Sequence, residues 1–148
     1  MSSTHLSLHV HVVFGTKARQ PLIDAVWQDR LHAFIGGVAR EAGATAEAIG
    51  GVADHVHLLL SLGSTTRLAD LVRDIKRASS AWVHETIEQK AFAWQEGYGA
   101  FSVGAKDLDA VRAYIGNQAA HHRTRTFRSE YVAFLRRNGM PYDERFLD

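Results

Sequence analysis

With 148 residues, 46% of them hydrophobic and 22% charged, the chain has the proportions of one globular domain with a real core, which excludes a disordered chain and leaves no room for a second domain. Seventeen Lys and Arg against 16 Asp and Glu leave a formal net charge of +1, so charge alone does not mark a nucleic-acid binder. There is no cysteine, no apolar run long enough to cross a bilayer, and no signal-peptide character in Met1-Ser2-Ser3-Thr4-His5, so any metal must be held by nitrogen and oxygen, and a cytoplasmic protein without membrane association is expected.

Leu6, Leu8, Val10, Val12 and Phe14 alternate with Ser7, His9, His11 and Val13, the period of a strand with one buried face. Lys17, Arg19 and Gln20 then lead to Pro21, a polar turn. Over about 23–42, Trp27, Leu31, Phe34, Ile35, Val38 and Ala42 recur at helical spacing, and Gly43 stands where a helix-ending glycine is expected. Thr45 to Val52 reads as a second strand, joined by a tight connection at Ala53 and Asp54 to a third, so the two should form a hairpin. In the third, Asp54-His55-Val56-His57-Leu58-Leu59-Leu60, the side chains of His55 and His57 look to one side and those of Val56, Leu58 and Leu60 to the other. Two converging imidazoles are either part of a divalent-metal site or a solvated pair on an open sheet face, and His9-Val10-His11 has the same geometry.

Gly63-Ser64-Thr65-Thr66 offers hydroxyl caps to a helix over about 67–89, with Leu68, Leu71, Val72, Ile75, Ser79, Trp82 and Val83 inward and Arg73, Lys76, Arg77 and Ser80 nearer the outside. The aromatic, glycine-broken run 92–103 predicts a loop entering a short strand near 100–103. A helix over about 107–122 follows, with Asp107 and Asp109 at its positive end. Its apolar stripe is Leu108, Val111, Ile115 and Ala119; Tyr114, Asn117, Gln118 and His121 stack along a neighbouring stripe. A last short helix is expected over about 130–137, in a stretch where Arg123, Arg125, Arg128, Arg136 and Arg137 surround the single acid Glu130, as a solvated or a phosphate-facing surface. The order β-α-β-β-α-β-α predicts an α+β ferredoxin-like sandwich: an antiparallel sheet, two helices on one face, and the late helix docked on or near the other.

Four ordered stretches carry a resemblance: His11-Val12-Val13-Phe14-Gly15-Thr16-Lys17, Asp54-His55-Val56-His57-Leu58-Leu59, Trp94-Gln95-Glu96-Gly97-Tyr98-Gly99-Ala100-Phe101-Ser102 and Tyr114-Ile115-Gly116-Asn117-Gln118-Ala119-Ala120-His121-His122. In them the chain resembles the single-tyrosine HUH transposases, which include insertion-sequence transposases of the IS200-like type and REP-associated tyrosine transposases. The resemblance covers 1–148 as a single domain. It implies a divalent metal, Mg or Mn, held by His55 and His57 with Gln118 as a further ligand, and Tyr114 as the catalytic nucleophile. It implies attack on a phosphodiester of single-stranded DNA to give a covalent phosphotyrosine and a free 3′-OH, followed by strand transfer, that is, DNA transposition. Hairpin-forming palindromic ends are the implied DNA partner. Homodimers are implied too, with active sites shared between subunits in some members, a point that one sequence leaves open.

Tyr114 and Gln118 lie one helical turn apart, so one docked helix can bring both to the histidine pair. Lys17, Arg19, Arg73, Lys76, Arg77, Trp94 and Tyr98 are candidate DNA contacts, because an unpaired strand exposes bases to aromatic rings and phosphates to cations. Asp54 before and the leucines after His55 and His57 match the family, which assigns the metal there and leaves His9 and His11 as flanking or DNA-facing residues. Tyr131 is a rival nucleophile without a Gln one turn on. Two imidazoles and an amide suit a transition metal better than magnesium, against the metals the resemblance implies. The alternative functions are a non-catalytic or domesticated hairpin-binding module of the same fold, and a metal-dependent phosphodiesterase that uses water and needs no tyrosine.

Overall fold

The computed structural model describes residues 3–122, 125–143, 145 and 147; Arg123 of the basic stretch lies outside the described residues. Strands β1 (His9–Gly15), β2 (Thr45–Val52), β3 (His55–Ser61) and β4 (Gly99–Val103) form one sheet in the order β2-β3-β1-β4, with every neighbouring pair antiparallel. The expected α+β sandwich and the β2–β3 hairpin are both present. β1 starts later than the Leu6–Phe14 alternation suggests: β3 ends at Ser61, opposite His9, so the ladder stops there and Leu6 and Leu8 stay 49% and 47% exposed.

Register decides what each face carries. Gly15 lies opposite His55, Val13 opposite His57 and His11 opposite Leu59, so these six share one face; Val10, Val12, Phe14, Val56, Leu58 and Leu60 share the other. Helices α1 (Ala25–Glu41) and α2 (Leu68–Trp82) cover the second face. α1 starts at Asp24, whose carboxylate accepts from Val26 N–H, and packs Trp27, Leu31, Ile35 and Ala39 on the sheet; Ala39 takes the inward place expected of Ala42, which is exposed. α2 buries Leu71, Val72, Ile75 and Ser79. It does not run straight to residue 89: the backbone widens into a π turn at Val83–Ile87 and ends at Glu88 in the left-handed conformation, φ 65°.

The histidine face is covered from the C-terminal third. Instead of one helix over 107–122 there are two, α3 (Leu108–Gly116) and α4 (Gln118–His121), broken at Asn117 with φ −108° and ψ 25°. Gly116 and Asn117 are both poor helix formers, and the break turns Gln118 inward while Ala119, the expected continuation of the apolar stripe, is exposed. α5 (Phe127–Arg137) begins three residues earlier than expected, capped by Thr126 Oγ1 accepting from Ser129 N–H. Phe127, Phe134 and Leu135 of α5 join Val13 and Phe101 of the sheet in a second, smaller core, with Tyr114 and Tyr131 packed at its edge. Among the described residues no helix is long and apolar enough to cross a membrane.

α3 approaches the sheet over β2 at Gly50, the residue opposite His57, where a Cβ would run into the Ile115 carbonyl. A Gly50→Ala substitution should therefore push α3 outward and lower the unfolding free energy by about 1–3 kcal/mol, the usual range for overpacking. Gly36→Ala on α1, where a Cβ would meet Ile49 Cδ1 at 3.6 Å, serves as the tolerated control. Urea unfolding measures both; an unchanged midpoint for Gly50→Ala would mean that α3 does not press on β2.

Candidate active site

His55 and His57 stand two residues apart on β3 and are fully buried beneath the C-terminal helices. Each has one ring nitrogen held from outside. His55 Nδ1 donates to Asp54 Oδ1 at 2.7 Å; an ionised carboxylate only accepts, so Nδ1 carries a proton and Nε2 faces the pocket. His57 Nδ1 lies 2.8 Å from His11 Nε2, and an imidazole can serve as donor or acceptor there by changing tautomer. The Nε2 atoms converge on Glu130 of α5, with Oε1 2.9 Å from His57 Nε2 and 3.5 Å from His55 Nε2. His122 Nε2 is 3.2 Å from the same oxygen yet makes no well-directed hydrogen bond. Gln118 Oε1 is 3.2 Å from His55 Nε2, at the edge of this cluster. The Tyr114 hydroxyl donates to Glu130 Oε2 and sits 3.1 Å from His121 Nε2.

Charge in the pocket follows from burial. Desolvation opposes ionisation of Glu130, but the polar groups that face it, His122, His57 and Tyr114, outweigh it and hold the carboxyl well below the usual range. His57 is lowered by burial in spite of Glu130, and His11 is lowered to about 3 by burial and then by His57, so both stay neutral imidazoles. The Tyr114 phenol is pushed up, first by burial and then by the Glu130 carboxylate. The His122 imidazole is shifted the other way: burial opposes its protonation, but the Glu130 carboxylate raises it, so the centre is an anion between one imidazole that burial keeps neutral, His57, and one that the anion draws toward protonation, His122.

His55, His57, His122 and Glu130 each present one ligand atom, and these atoms lie within 4.8 Å of one another, so the cluster could hold a metal ion. The buried His122 Nε2 without a hydrogen bond is what a site shaped for a cation would leave. Two residues stand behind the donors: Asp54 fixes His55 and His11 fixes His57, as outer partners of ligating histidines do.

The structure brings together four of the sequence-predicted residues, His55, His57, Tyr114 and Gln118, within one chain. It gives others different occupations. His11 is buried against His57 rather than flanking or facing DNA; His9, at the start of β1, is half-buried. Trp94 is no open stacking platform: it packs on Phe14 and Phe92 and its indole N–H donates to Ser79 Oγ at 2.9 Å. Lys76 donates to the carbonyls of Gln95, Glu96 and Gly97 at 2.8, 3.2 and 2.7 Å, and burial lowers it to about 8. Arg73 pairs with Asp70 and Asp74, and Arg77 borders a groove between α1 and α2, both across the sheet from the histidines. Lys17, Tyr98 and the rival Tyr131 line a cleft of about 770 Å³, while Arg19 lines another of about 830 Å³ bordered by Asp54, His122, Arg125 and Phe127.

The sequence reading assigned no site role to Glu130 or His122, and it weighed His11 only as a rival to the pair of His55 and His57 or as a flanking residue, not as the partner of His57. Glu130 had a legible signal, an acid at i+3 from Phe127 and four residues before Phe134, in the apolar stripe of its helix. Its carboxylate also changes the donor chemistry: the cluster is not limited to two imidazoles and an amide.

His11 carries a pH dependence. The unfolded chain protonates this ring near its ordinary 6.5, whereas the fold keeps it neutral down to about 3, so as pH falls through that window the unfolded state gains a proton and the fold loses stability. One such group contributes a slope of about 1.4 kcal/mol per pH unit. His11→Gln, which can still donate or accept toward His57, should make stability between about pH 6 and 5 fall by roughly that much less per unit than in the wild type. Urea midpoints across this range give the answer, and identical slopes would mean that His11 is not held neutral.

The chain matches the family model described as "Transposase IS200 like" over residues 4–118. No protein with a curated description matches it. Among solved structures, a protein from Deinococcus radiodurans R1 described as a "putative transposase" superposes with TM-score 0.62 at 22% identity, over 80% of this chain and 96% of that one. A REP-associated tyrosine transposase, solved bound to a REP hairpin, superposes with TM-score 0.57 at 17% identity, over 78% of this chain and 70% of that one. At such identities the two structures show the shared fold, while the family match spans β1 to the start of α4 and includes His55, His57, Tyr114 and Gln118. The chain belongs to the IS200-like transposase family.

Proposed function

We propose that the protein is a metal-dependent single-stranded DNA transposase whose nucleophile is Tyr114. The observation that carries this reading is that the Tyr114 hydroxyl and the Nε2 of His57 meet the two oxygens of one buried carboxylate, so nucleophile and metal donors share a pocket. His55, His57, His122 and Glu130 would hold the metal, with Gln118 beside them. Imidazole-rich donors favour Mn over Mg, and the carboxylate suits either. Such a cation supplies polarisation of the scissile phosphate and stabilisation of the leaving oxygen.

The remaining steps belong to the chain. Tyr114 is a poor nucleophile while protonated; its hydroxyl proton points at Glu130 Oε2, and His121 Nε2, 3.1 Å from the phenol oxygen, is the second group within reach of the proton. The phenol oxygen attacks phosphorus, the P–O3′ bond breaks, and the products are a 5′-phosphotyrosine and a free 3′-OH. Because the phosphodiester bond is exchanged and not hydrolysed, a second 3′-OH can attack the phosphotyrosine, join the strands and regenerate Tyr114 without ATP. Asp54 and His11 keep the histidine rings aimed throughout.

The relative bound to a REP hairpin supports hairpin-bearing DNA as the partner here. Arg19 and Arg125 on the walls of the cleft beside His122 put cations next to the donors, and Lys17 and Tyr98 border the neighbouring cleft, which favours these residues over Arg73 and Arg77 as contacts. A homodimer fits the family reading, and the distances support a site completed within each chain.

Incubation with Mn and a labelled hairpin-bearing single strand should give a denaturant-resistant adduct in the wild type and in Tyr131→Phe, and none in Tyr114→Phe, which should still bind the hairpin. Tight binding without any wild-type adduct would favour the hairpin-binding module; cleavage that survives Tyr114→Phe would favour the water-using phosphodiesterase. A mixture of His57→Ala and Tyr114→Phe subunits should remain inactive. Adduct formation in that mixture would show sites shared between subunits.

A further inference from the structure

Glu130 lies beyond the residues covered by the family match, yet it occupies the middle of the pocket, 1% exposed. Its two oxygens keep different company. Oε1 faces three imidazole nitrogens, those of His57 at 2.9 Å, His122 at 3.2 Å and His55 at 3.5 Å. Oε2 accepts from the Tyr114 hydroxyl and lies 3.3 Å from His121 Nε2. The helix that carries it is keyed to the histidine face on both sides: Phe127 stacks on His55 with ring centres 4.4 Å apart at 17°, and Phe134 meets His11 edge-on at 5.0 Å. Such bracketing leaves the carboxylate little freedom to swing.

Resting on the reading of this pocket as the transferase site, we propose that Glu130 is a positioning residue shared by metal and nucleophile: Oε1 completes the donor set of His55 and His57 while Oε2 keeps hold of the Tyr114 hydroxyl. A carboxylate is rigid and planar, so fixing one oxygen fixes the direction of the other. Occupancy of the metal site then aims the phenol at the place where a phosphate would sit. A carboxylate with a purely packing role would be satisfied by the directed donors alone, His57 on Oε1 and Tyr114 on Oε2. Here three nitrogens crowd one oxygen, and one of them, on His122, has no directed hydrogen bond.

The test uses Mn(II) alone, without DNA, with affinity read by the electron paramagnetic resonance of the free ion for the wild type, H57A, E130Q, Y114F and the E130Q/Y114F pair. Glu130→Gln should weaken Mn binding at least about tenfold. Tyr114→Phe, which removes the partner that orients Glu130, should weaken it by about tenfold in the otherwise wild-type protein, the range for loss of an outer-shell partner, and by less than twofold in the E130Q background. Circular dichroism checks that each variant folds. Should E130Q not fold, E130D serves instead, because a carboxylate one methylene shorter cannot span both partners: it should bind Mn while losing its sensitivity to Tyr114→Phe. Wild-type affinity in E130Q, or an equal effect of Tyr114→Phe in both backgrounds, overturns the bridge. If H57A loses Mn while E130Q keeps it, the bridge fails and the metal site stands; if neither substitution changes affinity, both fail.

Discussion

A negative charge placed out of water among imidazoles governs this molecule. Glu130 is an acid in the apolar stripe of a helix, and it is tolerable there only because His57, His122, Tyr114 and His121 all turn polar atoms toward it. Breaking such a buried pair by removing one partner typically costs about 3–5 kcal/mol. Burial keeps His57 and His11 neutral against the pull of the Glu130 carboxylate, and burial together with the carboxylate lifts the Tyr114 phenol. Folding and the proposed chemistry therefore lean on a single cluster, and a cation among these nitrogens would relieve the competition for one oxygen.

Everything that delivers residues to this cluster is local and ordinary. The period of a strand puts His55 and His57 on one face, antiparallel register sets His11 diagonally beside His57, and the bare backbone at Gly50 lets α3 come close. The break at Asn117 turns Gln118 and His122 toward the sheet where a continuous helix would have carried Ala119 inward. α5 then folds back to supply the acid. Family membership accounts for the elements up to the start of α4; the closing of the pocket by α5 is read from this chain's own packing.

The parts that were legible beforehand are those written in short-range spacing. Alternation at β1 and β3, the stripe of α1 and the order of elements gave the sandwich, and spacing paired His55 with His57 and Tyr114 with Gln118, while only the family resemblance joined the two pairs in one site. Long-range partners left weaker marks. Nothing near His11 says that its ring will meet His57, and a basic stretch disguises Glu130 as surface. Trp94 and Lys76 looked available because an aromatic in a loop and a cation on a helix read alike whether open or occupied; only the fold shows Ser79 and three carbonyls taking their donors. Helix ends misled for a similar reason, since the π turn after Trp82 and the break at Asn117 are choices of packing that propensity only permits.

The account is tested most directly by locating the metal. An anomalous difference map from crystals of the protein soaked in Mn(II) should show one strong peak within coordination distance of His55 Nε2, His57 Nε2 and Glu130 Oε1, with the Tyr114 oxygen still on Oε2. A peak elsewhere on the molecule, or no peak at this cluster with the imidazoles still packed around the carboxylate, would contradict it.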